Sequence, residues 1–393
     1  MRFSSGRKIA YKKRICKMEG SSTHLRCSVR IDLCALERNL GKLKFFLPKS
    51  RGYIALVSAD AFGYGMEAAV VRLMLSGADG FAVTNIREAI GVREVGSGWK
   101  VIVLSSSLPG EEYLYFENNI TPVIVSAEEI DRFEKFAEQT GRTIAVHMRL
   151  PVNGNSLPST PEAKIMLEKL LASPRLRLEA FCLPGTGTGA PAEGEDPDSE
   201  FLKFAAEKIG PTPPRIYVHH SDVCRIDKIP PQFDKTLRAG LVLFGMKPSE
   251  KSILRGFEPE HVLTFRTSVS HIKNLPKGAT VGYSRTYTLQ KDSKIALLSV
   301  GYGDGVPRES GQKMDVLIRG KRAPVIGRVS MDQAAIDVSD FDEIEIGDEA
   351  VIVGECDGAS ISIEEYCSRL SITPAQALTS ITKRVARFYK TLY

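Results

Sequence analysis

The run Tyr53-Ile54-Ala55-Leu56-Val57-Ser58 is nearly continuous in apolar residues, and an amphipathic stretch follows it. A strand covered on both faces reads this way. The same beat recurs at residues 80–84, 101–106, 121–126, 143–150, 176–183, 215–221 and 236–245. Between these runs lie helical patterns such as 127–141 and 161–172, and in the second Ala163, Met166, Leu167 and Leu170 fall at helical spacing. Eight strand–helix units in succession are what closes a parallel barrel, so the expected fold is α/β, a (β/α)8 TIM-type barrel. Periodicity does not show closure, and an open doubly wound sheet stays as the alternative.

Beyond about residue 250 the rhythm changes. Candidate strands at 264–275, 294–300, 314–318, 323–329 and 349–354 follow one another with turn signals between them, Arg319-Gly320-Lys321 being one tight turn. This reads as a mostly β C-terminal domain, closed by a short helical tail over 373–389. The stretch 184–198, rich in Gly, Pro and Thr, reads as a long loop after the sixth strand. The expected organisation is a basic leader over 1–25, a barrel over 26–250 and a β domain over 251–393.

The chain has 393 residues, 43% hydrophobic and 25% charged, the mix of an ordinary soluble globular protein. Its net charge of +6 suggests nucleic acid only until it is located. Arg2, Arg7, Lys8, Lys12, Lys13, Arg14 and Lys17 lie in the first 17 residues with no acid among them, and without those seven the remainder carries −1. The charge belongs to the leader, which lacks the interleaved aromatics of a stacking surface, so no nucleic-acid partner is expected. The leader is read as disordered or, with Met18 directly after it, as untranslated. No apolar run reaches membrane-spanning length and no signal-peptide core follows the N-terminus, so no membrane partner is expected. Seven scattered cysteines without a Cys-x-x-Cys pair suggest a reducing compartment, the cytoplasm.

Working residues of such barrels stand at the C-terminal ends of the strands. That rule selects Ser58, Leu150, Pro184, Ser221 and the segment Arg238-Ala239-Gly240-Leu241. Gly240 allows close backbone approach, and the last two strand ends are where barrels hold anions on N–H groups and hydroxyls. Taken singly, Ser221 and Gly240 say little, since serine and glycine end many strands. His219 and His220 are strand neighbours pointing to opposite faces, so no metal site is expected.

The segment Ala55-Leu56-Val57-Ser58-Ala59-Asp60-Ala61-Phe62-Gly63-Tyr64-Gly65 resembles the alanine racemase signature Ala-Val-Val-Lys-Ala-Asn-Ala-Tyr-Gly-His-Gly. Further matches follow in order: Ile31-Asp32-Leu33 with Ala35-Leu36 and Asn39, Arg238-Ala239-Gly240 with Gly245, Val281-Gly282-Tyr283, Gly301-Tyr302-Gly303-Asp304-Gly305, Gly327-Arg328-Val329-Ser330-Met331-Asp332-Gln333, and Arg384-Val385 with Arg387 and Tyr389. The resemblance spans roughly residues 28 to 390 and implies a barrel plus a C-terminal β domain.

The resemblance also implies pyridoxal 5′-phosphate held as a Schiff base on a lysine, with that lysine and a tyrosine from the partner subunit exchanging the substrate's α-proton. Carried over, Tyr283 is the tyrosine base and Arg238 faces the pyridine nitrogen. Ser221, Gly240, Leu241 and Tyr389 hold the phosphate, and Tyr302, Met331 and Asp332 line the substrate entrance from the partner. The departures cluster on the barrel side. Ser58 stands at the lysine position, and a hydroxyl neither forms an imine nor acts as a cationic acid. Phe62 replaces a phosphate-binding tyrosine. Where the family reads Lys-x-Asp-Thr-Gly-Met-x-Arg after the fifth strand, this chain has Arg149-Leu150-Pro151-Val152-Asn153-Gly154-Asn155-Ser156, so Arg149 replaces a lysine and Ser156 an arginine. Leu183-Pro184 replaces Thr-His, removing the histidine that links Tyr283 to Arg238, and a phenol without an activating neighbour is a poor base at neutral pH.

The resulting expectation is a degenerate racemase-like protein with little or no racemase activity, binding pyridoxal phosphate non-covalently or another phosphorylated small molecule. Two alternatives stay open: a working isomerase that pairs Tyr283 with a non-standard second base, and a non-catalytic subunit that donates Tyr283 to an intact racemase. The expected assembly is a homodimer or a heterodimer with a racemase paralogue.

Overall fold

The computed structural model describes residues 25–47, 52–151, 158–183, 199–209, 217–220 (main chain only), 229–231, 233–250 and 252–392. They form two compact units: Leu36–Glu260 is one, and the residues up to Ala35 together with those from His261 onward make the other.

Strand β1 (Cys27–Asp32) opens the described chain and belongs to the second of these units. In the first, β2 (Gly52–Leu56), β3 (Gly80–Val83), β4 (Lys100–Val103), β5 (Thr121–Ile124), β6 (Ile144–Arg149), β7 (Leu176–Cys182), β8 (Tyr217–His220) and β9 (Asp234–Ala239) form a closed barrel. Every neighbouring pair is parallel, and closure comes from β9 against β2, with Ile54 opposite Arg238 and Ala55 opposite Ala239. The open-sheet alternative is thereby excluded.

Alternate residues of these strands face opposite ways. Ile54, Ala82, Ile102, Val123 and Cys182 make one buried cluster with Leu56 and Leu104 against it. Outward residues pack on the surrounding layer: Phe181 meets the ring of Phe201, in helix Ser199–Ile209, and that of Phe233, just before β9, edge-on, each at 5.7 Å. Burying an aromatic of this size stabilises by about 2–3 kcal/mol. Helix Ala127–Thr140 starts where Ser126 accepts the Glu129 N–H and stops at Gly141, whose φ of 68° is left-handed. In helix Thr160–Ala172 the four residues predicted to face inward are all buried.

In the other unit β1 is followed by β10 (Leu263–Leu275), β11 (Thr280–Val281), β12 (Tyr287–Thr288), β13 (Ser293–Leu298), β14 (Asp315–Ile318), β15 (Lys321–Ile326), β16 (Ala334–Asp337), β17 (Glu349–Cys356), β18 (Ala359–Ile361) and β19 (Ala386–Lys390). The main sheet runs β18-β17-β14-β15-β16-β13-β10-β1-β19, and β17 also pairs with β10.

Three details depart from the sequence expectation. Residues 27–32 join the β unit rather than the barrel: Cys27, Val29 and Ile31 alternate with Ser28 and Arg30, and β1 pairs antiparallel with β10. The division falls at Glu260/His261 rather than at residue 250. The expected helical tail is one short helix, Pro374–Ser380, followed by β19, which pairs in parallel with β1. Tertiary pairing overrides local helix preference there. Residues 1–24 of the leader and the loop at 184–198 lie outside the described residues. Among those described, Cys27, Cys34, Cys182, Cys356 and Cys367 are free thiols, no helix is long and apolar enough to cross a membrane, and no metal-holding cluster of His, Cys, Asp or Glu occurs.

Candidate active site

Strand β2 ends at Leu56, and Ser58 begins a turn that the sequence does not announce. Ala59, Asp60, Ala61 and Phe62 all have positive φ, between 52° and 57°, so four successive L-residues form one turn of left-handed helix. Each such residue costs roughly 1 kcal/mol or more. The turn is held by specific bonds. The Ala61 N–H donates to Val57 O (2.9 Å) and the Gly63 N–H to Ala59 O (2.8 Å). The Glu88 carboxylate accepts the Ala59 N–H at 2.6 Å, and the Asp60 carboxylate accepts the Met66 N–H at 2.7 Å. Ser58, at the head of this turn, is 7% exposed, and its hydroxyl has no hydrogen-bond partner.

Arg238, near the end of β9, is 4% exposed. Its guanidinium donates to Cys182 Sγ at 3.3 Å and to Leu183 O at 3.1 Å. Beyond it the chain turns tightly, the N–H groups of Leu243 and Phe244 returning to Gly240 O and Leu241 O at 2.9 and 3.0 Å. A β-carbon on Gly240 would come within 3.3 Å of Leu56 Cδ2, so glycine is what lets this turn lie close to the β2 end. The Phe62 and Phe244 rings pack edge-on at 5.6 Å, and the Tyr64 hydroxyl donates to Phe244 O at 3.1 Å.

At the end of β6, Arg149 donates from Nη2 to Leu104 O at 2.6 Å, while its Nε is buried without a partner. His147 on the same strand is fully buried. That burial, reinforced by Lys100 and Arg238, pushes its imidazole well below the ordinary histidine range, so it stays neutral.

The β unit carries the remaining residues. Tyr283 follows Gly282 and is 60% exposed, with the Arg308 guanidinium 5.9 Å from its ring centre. The Tyr302 N–H donates to Ser330 O (3.1 Å) and the Gly303 N–H to Met331 O (2.9 Å), so the Tyr302 and Met331 loops are tied main chain to main chain. Both side chains are exposed. Arg384 bridges two carboxylates, Asp304 at 2.7 Å and Asp332 at 2.5 Å, which raise its already high pKa further. Tyr389 lies on β19 opposite Ile31.

Ser58, Arg238, Gly240 and Leu241 thus share one end of the barrel, and Tyr283, Tyr302, Met331 and Asp332 share knitted loops of the β unit. Ser221 lies outside the described residues, as do Pro184 and Ser156. The sequence reading missed Glu88 altogether and quoted Arg384 only as a motif match, with no role attached. Asp304 stood only as one member of the Gly301–Gly305 match, whereas its side chain is 3% exposed and carries the Arg384 ion pair. No spacing signal connects residues 304 and 384, because only the folded sheet brings them together. Chemically, the barrel end offers guanidinium and amide donors for an anion, and position 58 offers a hydroxyl in place of an amine that could condense with an aldehyde.

Family models match both parts of the chain: the alanine racemase N-terminal domain over residues 31–248 and the alanine racemase C-terminal domain over residues 262–389. The alanine racemase of Methylacidiphilum infernorum (isolate V4) is 31% identical over 369 residues, covering 93% of this chain and 93% of that protein. The solved alanine racemase from E. faecalis superposes with a TM-score of 0.83 at 22% identity, covering 94% of this chain and 99% of that one. That from Bartonella henselae, solved with covalently bound pyridoxal phosphate, gives 0.78 at 22% identity, covering 93% and 100%. At such identities the structural likenesses speak for the fold.

Proposed function

The chain belongs to the alanine racemase family, and from that premise we propose that it is a member with little or no racemase activity that binds pyridoxal phosphate, or another phosphorylated small molecule, without a covalent link. The observation that carries this reading is Ser58: buried, hydroxyl-bearing and unpartnered at the head of the left-handed turn, where the family resemblance places the lysine.

When bound, pyridoxal phosphate supplies an electron sink for negative charge on an amino acid's α-carbon. The residues present suit holding such a molecule better than anchoring it. Arg238 offers a buried guanidinium, and the Gly240–Leu241 turn offers main chain packed close to Leu56 and Phe62. Ser58 offers one hydrogen bond and no nucleophilic nitrogen. A covalent catalyst and its neighbours act as a unit, so losing it removes about 10³-fold or more of the rate.

The test uses purified full-length chain with added pyridoxal phosphate and L-alanine. The expected result is saturable binding that gel filtration reverses and no D-alanine even at high protein concentration. Sustained D-alanine formation at the speed of a working racemase refutes the reading.

A second reading is favoured by the exposure of Tyr283, Tyr302 and Met331 in the β unit. Here the chain pairs with an intact racemase and presents Tyr283 to it. Co-expression with such a racemase gives a mixed dimer on this reading, and strict self-association contradicts it.

A further inference from the structure

Within the β unit a cavity of about 340 Å³ is bordered by Ser28, Arg30, Arg266, Glu349, Phe388 and Lys390, among others. Strand alternation explains this lining. Cys27, Val29 and Ile31 of β1 turn into the core, so Ser28 and Arg30 turn the other way. The register sets Arg30 opposite Thr264 of β10 and Phe388 of β19, which makes Arg266 and Lys390 its diagonal neighbours on the two sides. Such neighbours lie roughly 7–8 Å apart, close enough for long side chains to meet at one ligand. Tyr389 also borders the cavity, but it pairs with Ile31 of the inward-turned set, so the three cations stand on the other face of the sheet.

Two of these cations are balanced. Arg266 pairs with Glu349 at 2.7 Å, and its Nε donates to Ser28 Oγ at 3.2 Å. Lys390 pairs with Asp32 at 2.8 Å, and the other oxygen of that carboxylate accepts the Cys34 and Ala35 N–H groups. Arg30 is exposed and, among the described residues, has no hydrogen-bond or ion-pair partner. Single solvated arginines are ordinary on protein surfaces. This one stands between two like charges at the wall of a cavity, an arrangement that a bound anion relieves.

We propose that this cavity of the β unit binds a small phosphate monoester, with Arg30 as its principal ligand. Arg30 supplies a guanidinium fork, Lys390 its remaining N–H groups, and Ser28, whose oxygen already accepts from Arg266, keeps its own O–H to donate. One fork satisfies a carboxylate, whereas the three terminal oxygens of a phosphate suit three separated donors. The Phe388 ring gives an apolar wall for the carbon part of the ester, and the volume lies at the small end of ligand pockets, about 300–1,000 Å³. The assignment is independent of Ser58 and the barrel end.

The probe is phenyl phosphate, titrated into the full chain at constant ionic strength while amide hydrogen exchange is followed by mass spectrometry. The expected result is a saturable slowing of exchange in peptides covering β1 and β19. In Arg30→Gln the apparent affinity should fall about tenfold or more, the worth of one charge-assisted hydrogen bond, and Arg30→Lys should recover part of it. Because Arg30 is exposed, Arg30→Gln should unfold at no lower temperature than the native chain. Benzoate, with the same ring and a single carboxylate, should leave both strands unaffected where phenyl phosphate saturates. Absence of slowing in these strands of the native chain, an affinity unchanged by Arg30→Gln, or equal protection by benzoate overturns the assignment.

Discussion

Gly282 and Gly327 face each other main chain to main chain: a β-carbon on Gly282 would lie 2.7 Å from Gly327 Cα and 2.6 Å from Arg328 N, and both glycines have positive φ. This contact sets the exit of the chain into Tyr283, whose N–H donates to Arg328 O at 3.1 Å. Gly282→Ala should therefore destabilise the β unit by about 2 kcal/mol or more, measured by chemical denaturation, since both backbone strain and a main-chain clash oppose it. A neutral effect contradicts the fixed presentation of Tyr283.

Asp304 is buried, accepts the Gly301 N–H at 2.9 Å and pairs with Arg384. Asp304→Ala leaves that N–H without its acceptor and frees Arg384 from one side. The expected loss is about 2 kcal/mol in thermal unfolding, with faster amide exchange at Tyr302 and Gly303. Unchanged exchange there argues against a role for the ion pair in holding the Tyr302 and Met331 loops together.

Acid should unfold the barrel through His147. Its folded pKa is depressed below the unfolded value of about 6.5, first by burial and then by Lys100 and Arg238. Below about pH 6.5 the unfolded chain takes up a proton that the folded chain refuses, so stability is full above that pH and falls as pH drops through it. Stability measured between pH 7 and 5 should decline, and less steeply in His147→Asn; identical slopes for the two proteins refute the assignment.

Ser58→Ala removes a buried hydroxyl that has no partner. In the absence of ligand the variant should be as stable as the native chain or more so, by about 1 kcal/mol. A loss beyond that value in the ligand-free protein means that the hydroxyl has a structural partner.

The barrel was legible because its strands are buried on both faces: runs 80–84 and 121–126 correspond to β3 and β5 within a residue or two. The β unit was legible through its turns. What escaped the sequence was set by distant parts of the chain. β1 and β19 are short: β1 finds its place between β10 and β19, and β19 beside β1. The left-handed turn at 59–62 contains no glycine and two alanines, residues that favour ordinary helix, and it exists because Glu88 and Asp60 hold it. At the site, Ser58 and Arg238 were selected by position at strand ends, whereas the unpartnered Nε of Arg149 depends on packing that no spacing encodes.

The decisive chemical question is whether the chain carries a reactive amine at the barrel end, where residue 58 is serine. The most direct measurement treats native protein and Ser58→Lys side by side with pyridoxal phosphate and borohydride, then maps the labelled lysines by peptide mass spectrometry. The prediction is a phosphopyridoxyl group on residue 58 of the variant and none on any barrel-end lysine of the native chain. A stoichiometric label on a native barrel-end lysine, accompanied by alanine racemisation, would contradict it.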